Sequence, residues 1–250
     1  LKRHDLDYTL LILGLITGFT SGFFGIGGGS ILIPMLLVYG FMMKEAVAIS
    51  IMQMVFSSIY GSIINAKKTK GLLRDGTILG VGASIGGMVS GYFLPAVPDI
   101  YLQYLFIASL LYTVYTIFKA PASQTIEQDD KSFLVLLLIG MFVGVMAMSI
   151  GIGGSLLLLP ILVGFLKYDL KVATALGLFF VIFSSIGGFI STSIFGNMLY
   201  LEGAMVGVGS LIGVYFGIKV KDRVKSTSYK KYVLLLNLLV LTVTIYKTFF

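Results

Sequence analysis

The strongest constraint on this chain is the distribution of its charged residues. Only 12% of the 250 residues are charged, against roughly 25% in a typical soluble domain. Long apolar runs without charge, of about 18 residues or more, are typical of transmembrane helices. We therefore predict an all-α, multi-pass protein of the cell (inner) membrane with no soluble domain. Eight stretches contain no Asp, Glu, Lys or Arg: 8–43, 46–66, 76–98, 100–118, 132–166, 172–201, 203–218 and 232–246.

The composition excludes several classes of functional site. The chain has no cysteine, which excludes disulfides, thiolate metal sites and iron–sulfur clusters. The single histidine, His4, lies at the N-terminus, where we interpret it as a solvated residue rather than a metal ligand. The net charge of +7 comes from the loops, and Lys/Arg-rich cytoplasmic loops are typical of membrane proteins. We expect no cofactor, no metal and no nucleic-acid partner.

One glycine-rich phrase occurs twice, each time within a charge-free stretch. The first copy, residues 22–34, reads GFFGIGGGSILIP, and the second, residues 149–160, reads SIGIGGSLLLLP. The copies align at an offset of 126 residues, and the segments that follow them align at an offset of 127, as in Asp75 and Glu202. We interpret the chain as an internal duplication. It comprises a first repeat at 1–118, a linker at 119–131 and a second repeat at 132–250.

The positive charges of the loops differ between the two repeats. In the first repeat, residues 67–74 contain four positive charges and residues 95–99 contain none. The equivalent loops of the second repeat are reversed, since residues 195–202 contain none and residues 219–231 contain six. Because Lys and Arg concentrate in cytoplasmic loops, we predict that the repeats have opposite orientations and that the linker is cytoplasmic.

Each inverted repeat is predicted to contain a glycine-broken helical hairpin followed by three transmembrane helices. Opposite orientation requires an odd number of crossings per repeat, so the hairpin crosses the membrane zero or two times. Residues 9–24 would form a helix of about 24 Å, short of the roughly 30 Å hydrocarbon core. We therefore expect a V-shaped hairpin, either re-entrant or built from two short tilted spans. The three further helices are predicted at 46–66, 76–94 and 100–118, and at 172–195, 203–218 and 232–246.

The duplicated glycines have the properties of an anion site. Glycine accepts positive φ and lets a ligand approach the main chain, and the first N–H groups of a following helix have no partner within that helix. These groups and the helix dipole favour a bound anion, and two inverted hairpins would direct their amides at one central point. Ser30 and Ser155 are predicted to cap these helices or to donate hydroxyls. The candidate glycines are Gly25, Gly27, Gly28, Gly29, Gly151, Gly153 and Gly154.

The remaining glycines and polar residues are weaker candidates. Glycines such as Gly82 and Gly213 are predicted to serve close helix packing. Gln53 is a candidate for the site because an unpaired amide in hydrocarbon is costly. Isolated hydroxyls, among them Ser21 and Ser50, most often bond their own helix. The duplicated serine pairs are second-choice site residues: Ser57 and Ser58, and Ser184 and Ser185.

The two glycine segments carry a resemblance to a known family. GFTSGFFGIGGGSILIPMLL (18–37) and GMFVGVMAMSIGIGGSLLLLPIL (140–162) resemble the TauE/SafE family of sulfite-exporter-like membrane proteins, and the likeness covers nearly the whole chain. The resemblance implies a transporter of sulfite, of organosulfonates such as sulfoacetate, or of related small anions. Its partners would be the small anionic substrate and the lipid bilayer, and the sequence leaves the oligomeric state open.

Two other functional classes compete with this interpretation. An anion channel would share the inverted architecture and the amide-lined site, and the same architecture could carry another small organic anion. An intramembrane enzyme is disfavoured because serine without a nearby base is a poor nucleophile. Proton or ion pathways usually contain ionisable residues, and the predicted membrane helices contain no Asp, Glu, Lys or Arg. We therefore predict no enzymatic activity and an anion whose own protonation carries any coupling.

Overall fold

The computed structural model describes residues 3–25, 27–65, 73–119, 132–166, 168, 170–224 and 226–249. These residues form α-helices with two short variants, a 3₁₀ turn at Leu94–Ala96 and a π-helical segment at Ile161–Phe165. Six of the described helices are long and apolar enough to cross a membrane, which confirms the all-α polytopic prediction. The α-helices are α1 Arg3–Phe24, α2 Gly29–Val38, α3 Met43–Asn65, α4 Leu73–Phe93, α5 Asp99–Lys119, α6 Phe133–Ser149, α7 Ser155–Pro160, α8 Leu170–Phe195, α9 Tyr200–Lys221 and α10 Ser226–Phe249.

The order of elements is the same in both repeats. A long helix (α1 or α6) ends at the glycines, a short helix (α2 or α7) begins after them, and three long helices follow. Each short helix contains a proline, Pro34 or Pro160. The linker residues 120–131 and the loop 66–72 lie outside the described residues. The division into two repeats and their orientation in the membrane stay predictions.

Helix α1 is longer than the sequence predicts. It begins at Arg3 rather than at residue 9 and contains 22 residues, about 33 Å of helix. Its segment Leu6–Phe24 alone is long and apolar enough to cross a membrane, so the expectation that this stretch is too short was wrong. The polar start misled the prediction, because acidic residues such as Asp5 and Asp7 are compatible with the first turns of a helix.

Helix α2, with 10 residues, covers only about 15 Å.

Glycines bring the backbones of α1 and α9 into direct contact. A Cβ added to Gly18 would lie 2.2 Å from the Ser210 carbonyl oxygen, and one added to Gly213 would lie 2.1 Å from the Leu15 carbonyl oxygen. Glycines spaced four apart on both helices make this close approach possible, as in small-xxx-small contacts between membrane helices. Gly82 and Gly86 of α4 make the equivalent contacts with α6. The packing role predicted for Gly82, Gly86 and Gly213 is confirmed.

The helices assemble into two sets that mix the repeats. Helices α1, α3 and α9 form the first helix set, and α4, α6 and α8 form the second helix set. In each set a phenylalanine from the third helix of one repeat covers a glycine of the fourth helix of the other repeat: Phe56 of α3 lies against Gly207 of α9, and Phe183 of α8 lies against Gly80 of α4. These pairs are equivalent by the 127-residue offset. Helices α5 and α10 pack on each other and contact α7 and α2, respectively.

The two helix sets meet along α3 and α8. Lys44 and Ala48, at the start of α3, line the same surface pocket as Thr192 and Phe195, at the end of α8. The two helices therefore run antiparallel. Because α3 and α8 are equivalent in the two repeats, their opposite directions favour the predicted inversion.

Candidate functional site

Two breaks in helical structure lie inside the protein, one in each repeat. The first glycine break comprises Gly25, Gly27 and Gly28, and the second glycine break comprises residues 151–154. The φ angles are 70°, 81° and 77° at Gly25, Gly27 and Gly28. At the aligned positions of the second break they are 66°, 86° and 75°. All six lie in the left-handed region that favours glycine, and the role of these residues in binding an anion stays a prediction.

The structure brings the two glycine breaks together. A Cβ added to Gly29 would lie 2.0 Å from the Gly151 carbonyl oxygen and 2.5 Å from the Ser50 hydroxyl oxygen. Ser50 donates a hydrogen bond of 2.7 Å to that same carbonyl. The start of α2 in the first repeat therefore lies directly against the break of the second repeat.

The equivalent contact on the other side, where the start of α7 meets α8, has its serine and glycine exchanged. We call each of these two contacts between a short helix and a long helix a crossing. Ser155 occupies the position aligned with Gly29, and Gly177 occupies the position aligned with Ser50. A Cβ added to Gly177 would lie 2.8 Å from the Ser155 Cβ and 3.5 Å from the Gly25 carbonyl oxygen. Each crossing thus holds one serine and one glycine, which indicates that it has room for one side chain of that size.

The caps of the two short helices differ from the prediction. Gly28 and Gly154 are the N-cap residues of α2 and α7, both in the left-handed conformation and neither with a side-chain cap. Ser30 and Ser155 lie within the helices, and the prediction that they cap them was wrong. The reason is that the left-handed glycines already turn the chain into each helix. Ser155 is fully buried, and its hydroxyl has no partner among the described residues.

Gln53 lies against the first glycine break. Its Nε2 and Oε1 atoms both lie 3.0 Å from the position of a Cβ on Gly28. Gln53 is fully buried near the middle of α3, and neither amide atom has a partner in the described part of the chain. Gln53, a candidate from the sequence, thus lies beside the first glycine break, and its role in binding stays a prediction.

The duplicated serine pairs are buried, and three of the four hydroxyls bond within their own helices. The hydroxyls of Ser57, Ser184 and Ser185 donate to carbonyls three residues earlier in their own helices. The Ser184 carbonyl oxygen lies 2.6 Å from the position of a Cβ on Gly87 of α4, within the second helix set. Ser58 is buried with no partner among the described residues. These contacts indicate a packing position for three of the four serines.

Comparison with known proteins identifies the family. The family model described as "Sulfite exporter TauE/SafE" matches residues 10–244. The chain belongs to this family. Among similar proteins are "Probable membrane transporter protein MJ0441" of Methanocaldococcus jannaschii and "Probable membrane transporter protein YunE" of Bacillus subtilis. The first is 29% identical over 190 residues, 73% of this chain and 70% of the relative. The second is 22% identical over 244 residues, 87% of this chain and 89% of the relative.

Three residues of this TauE/SafE protein contact the breaks but were not ranked as site residues from the sequence. Ser50 bonds Gly151 across the repeats. Ser21 is fully buried, its hydroxyl has no partner within the described ranges, and its carbonyl accepts the Gly25 N–H. Phe180 lies against Gly154. A comparison of aligned positions in the two repeats would have found them, because each differs from its counterpart. Ser50 aligns with Gly177, Ser21 with Ala147 and Phe180 with Gln53.

The ionisable groups of the TauE/SafE fold that form described contacts lie at helix ends, away from the breaks. Lys44 donates to the Pro95 carbonyl and lies 3.9 Å from Asp99. Tyr168, in the segment between the π-helical turn and α8, donates to Asp75 at the start of α4. Burial, together with the Asp75 carboxylate, raises the pKa of Tyr168 above its ordinary value. The described residues contain no cluster of His, Cys, Asp or Glu suited to a metal ion.

Proposed function

We propose that this TauE/SafE protein is a secondary transporter that moves small sulfur-containing anions, sulfite or organosulfonates such as sulfoacetate, across the cell (inner) membrane. The observation that carries the proposal is the meeting of the two glycine breaks, where Gly29 touches the Gly151 carbonyl inside the protein. The family description supports the substrate class, and the names of the relatives support transport. The protein acts as a carrier in the bilayer and not as an enzyme.

The anion is held by neutral donors at the breaks. Left-handed glycines let a ligand approach the main chain, and α2 and α7 begin directly after Gly28 and Gly154. The first N–H groups of a helix have no partner within that helix, and the dipole favours negative charge there. Non-helical backbone at membrane depth occurs where it is buried in protein or lines a wet cavity, which also supports a ligand at this place.

Transport follows from a movement of one helix set against the other. Glycines hold each set together through direct backbone contact, whereas the two sets meet mainly along α3 and α8. With the repeats in opposite orientations, a rocking of the sets around the breaks would expose the anion to each side in turn. A cavity of about 270 Å³ between the start of α3 and the end of α8, lined by Lys44, Glu45 and Thr192 among others, is the proposed entrance on one side.

The burial of the central contacts supports a carrier over a channel of the same architecture. Ser50, Gln53 and Ser155 are all fully buried, whereas a channel requires a continuous open path past its site. A carrier exposes its site to one side at a time and can return loaded with an anion from the other side, and that property is measurable.

Counterflow in proteoliposomes tests the proposed function. We expect vesicles preloaded with unlabelled sulfite to accumulate radiolabelled sulfite transiently above its equilibrium level, because the carrier returns loaded. Protein-free vesicles are the control, and sulfoacetate is tested in parallel. Uptake that ignores the internal anion and is accompanied by ohmic current would identify a channel. Absence of uptake for both anions would contradict the proposed substrate class.

A further inference from the structure

The two glycine breaks share one backbone conformation but differ in the side chains around them. Both have the same run of left-handed glycines. At three aligned positions near the breaks, the first repeat carries a polar side chain and the second carries an apolar one or none. These pairs are Ser21 and Ala147, Ser50 and Gly177, and Gln53 and Phe180.

Gln53 presents unused hydrogen-bonding capacity at the first break. An amide side chain offers two N–H donors and one carbonyl acceptor, and neither atom of Gln53 has a partner among the residues described. Both atoms lie 3.0 Å from the Cβ position of Gly28, so the amide lies against the N-cap residue of α2. A fully buried amide left unpaired is unfavourable, which indicates that it is satisfied by a ligand.

Two further hydroxyls without hydrogen-bond partners lie near the first glycine break. Ser21 is fully buried in the last turns of α1, and its carbonyl accepts the N–H of Gly25 at 2.8 Å. Ser155 comes from the second repeat but lies against Gly177, close to the Gly25 carbonyl oxygen. Neither hydroxyl has a partner within the described ranges. Three fully buried side chains without partners therefore lie around the first break.

An aromatic ring closes the second break. A Cβ added to Gly154 would lie 2.2 Å from Cε1 of Phe180 and 3.2 Å from the Ala147 Cβ. Phe180 is fully buried, and neither its ring nor the alanine methyl offers a hydrogen-bond donor. The place that holds Gln53 at the first break is thus filled by hydrocarbon at the second.

From this difference we propose that the transported anion binds asymmetrically, at the first glycine break, with Gln53 as a specificity-determining donor. Gln53 donates from Nε2, the start of α2 contributes backbone N–H groups, and Ser21 donates its hydroxyl. Phe180 packs over Gly154 and leaves no equivalent second site, so each chain binds one anion. The inference rests on the proposed function, because it concerns the location and selectivity of the same anion site.

Calorimetric titration of the detergent-purified full chain tests the inference, with sulfite and sulfoacetate as probes. We compare Gln53→Leu with Phe180→Leu, two substitutions to the same residue at aligned positions. A hydrogen bond to a charged group accounts for roughly a 10- to 100-fold change in affinity. We therefore expect Gln53→Leu to weaken probe binding by about that factor and Phe180→Leu to change it by less than about threefold. The wild type is expected to bind one anion per chain.

The melting temperature of the ligand-free variants separates a binding role from a structural one. Replacing a buried, unpaired amide by leucine is expected to leave the melting temperature unchanged or to raise it, so Gln53→Leu should lose affinity without losing stability. Should Gln53→Leu fail to fold, Ser21→Ala is the second variant, with a loss of about three- to tenfold expected. Its counterpart already has alanine at that position.

Each result decides between the alternatives. Equal losses in Gln53→Leu and Phe180→Leu, or two anions bound per chain, would overturn the asymmetric site. A parallel loss of affinity and melting temperature in Gln53→Leu would assign the amide to structure and overturn its binding role. A wild type that binds neither probe would overturn the proposed function itself, whereas a wild type that binds with unaffected variants would overturn only this inference.

Discussion

Replacing Gly29 with serine is expected to abolish sulfite transport, and adding Ser50→Gly is expected to restore part of it. A side chain at Gly29 meets the Gly151 carbonyl oxygen at 2.0 Å and the Ser50 hydroxyl at 2.5 Å. Overpacking of this kind typically costs about 1–3 kcal/mol, and here it separates the two breaks that form the proposed site. Removing the Ser50 side chain relieves one of the two overlaps, so the rescue is partial.

The second repeat already contains the pair of residues that the double variant would introduce into the first repeat. It carries serine at position 155 and glycine at position 177, the reverse of Gly29 and Ser50. The double variant therefore gives the first crossing the composition that the second crossing already has. We expect counterflow near the background level for the single variant and at least about tenfold more for the double variant, which corresponds to about 1.4 kcal/mol.

The matched control is Gly164→Ser, the same substitution at an open position. A Cβ on Gly164 would meet only the Thr116 methyl carbon at 3.4 Å, an ordinary contact. We expect wild-type counterflow from this variant. Normal transport by Gly29→Ser, or a double variant no better than the single one, would contradict the size complementarity of the crossings.

Gly213→Ala is expected to destabilise the protein strongly, although it places a better helix former in the middle of a helix. By helix propensity alone, alanine stabilises relative to glycine by roughly 1 kcal/mol. The packing of α1 reverses the sign, because a Cβ on Gly213 would lie 2.1 Å from the Leu15 carbonyl oxygen and 2.5 Å from the Phe19 nitrogen. Backbone atoms cannot move aside as a flexible side chain does, so we expect a loss of about 3 kcal/mol.

Thermal unfolding in detergent measures this loss. For a chain of about this size, 3 kcal/mol corresponds to a fall in melting temperature of roughly 6–12 °C. Gly164→Ala is the matched control and is expected to change the melting temperature by no more than about 2 °C. A melting temperature for Gly213→Ala equal to that of the wild type would show that α1 and α9 do not pack as closely as described.

Much of the fold was predictable from the pattern of charges and from the internal offset. The charge-free stretches identify the long helices, and the offset of 127 residues predicts that Gly80 and Gly207 occupy equivalent positions. The partners of the helices were not predictable. Glycines spaced four apart mark a face for close packing but carry no information on which glycine-bearing helix covers it. The start of α1 was missed because charged residues in a first turn resemble a loop.

The candidate site was predictable in its backbone and less so in its side chains. Adjacent glycines are poor helix formers, so the breaks followed from the sequence, and the cost of burying an amide pointed to Gln53. The cap role of Ser30 and Ser155 failed because the left-handed glycines take that position. The hydrogen bond from Ser50 to Gly151 could not be predicted, because it joins the two repeats. The spacing of residues within one repeat does not indicate how far they lie from residues of the other repeat.

Equilibrium binding of sulfite to the purified wild-type protein tests the central claim most directly, because it requires neither a gradient nor a direction of transport. The claim is that a small sulfur-containing anion binds where the glycine breaks meet. We predict saturable binding of sulfite or sulfoacetate that is lost in Gly28→Leu, since a side chain there meets the Thr17 carbonyl and the Gln53 amide within 3.0 Å. Gly164→Leu should bind as the wild type does. A folded wild type that binds neither anion, or a folded Gly28→Leu variant that binds as tightly as the wild type, would contradict the claim.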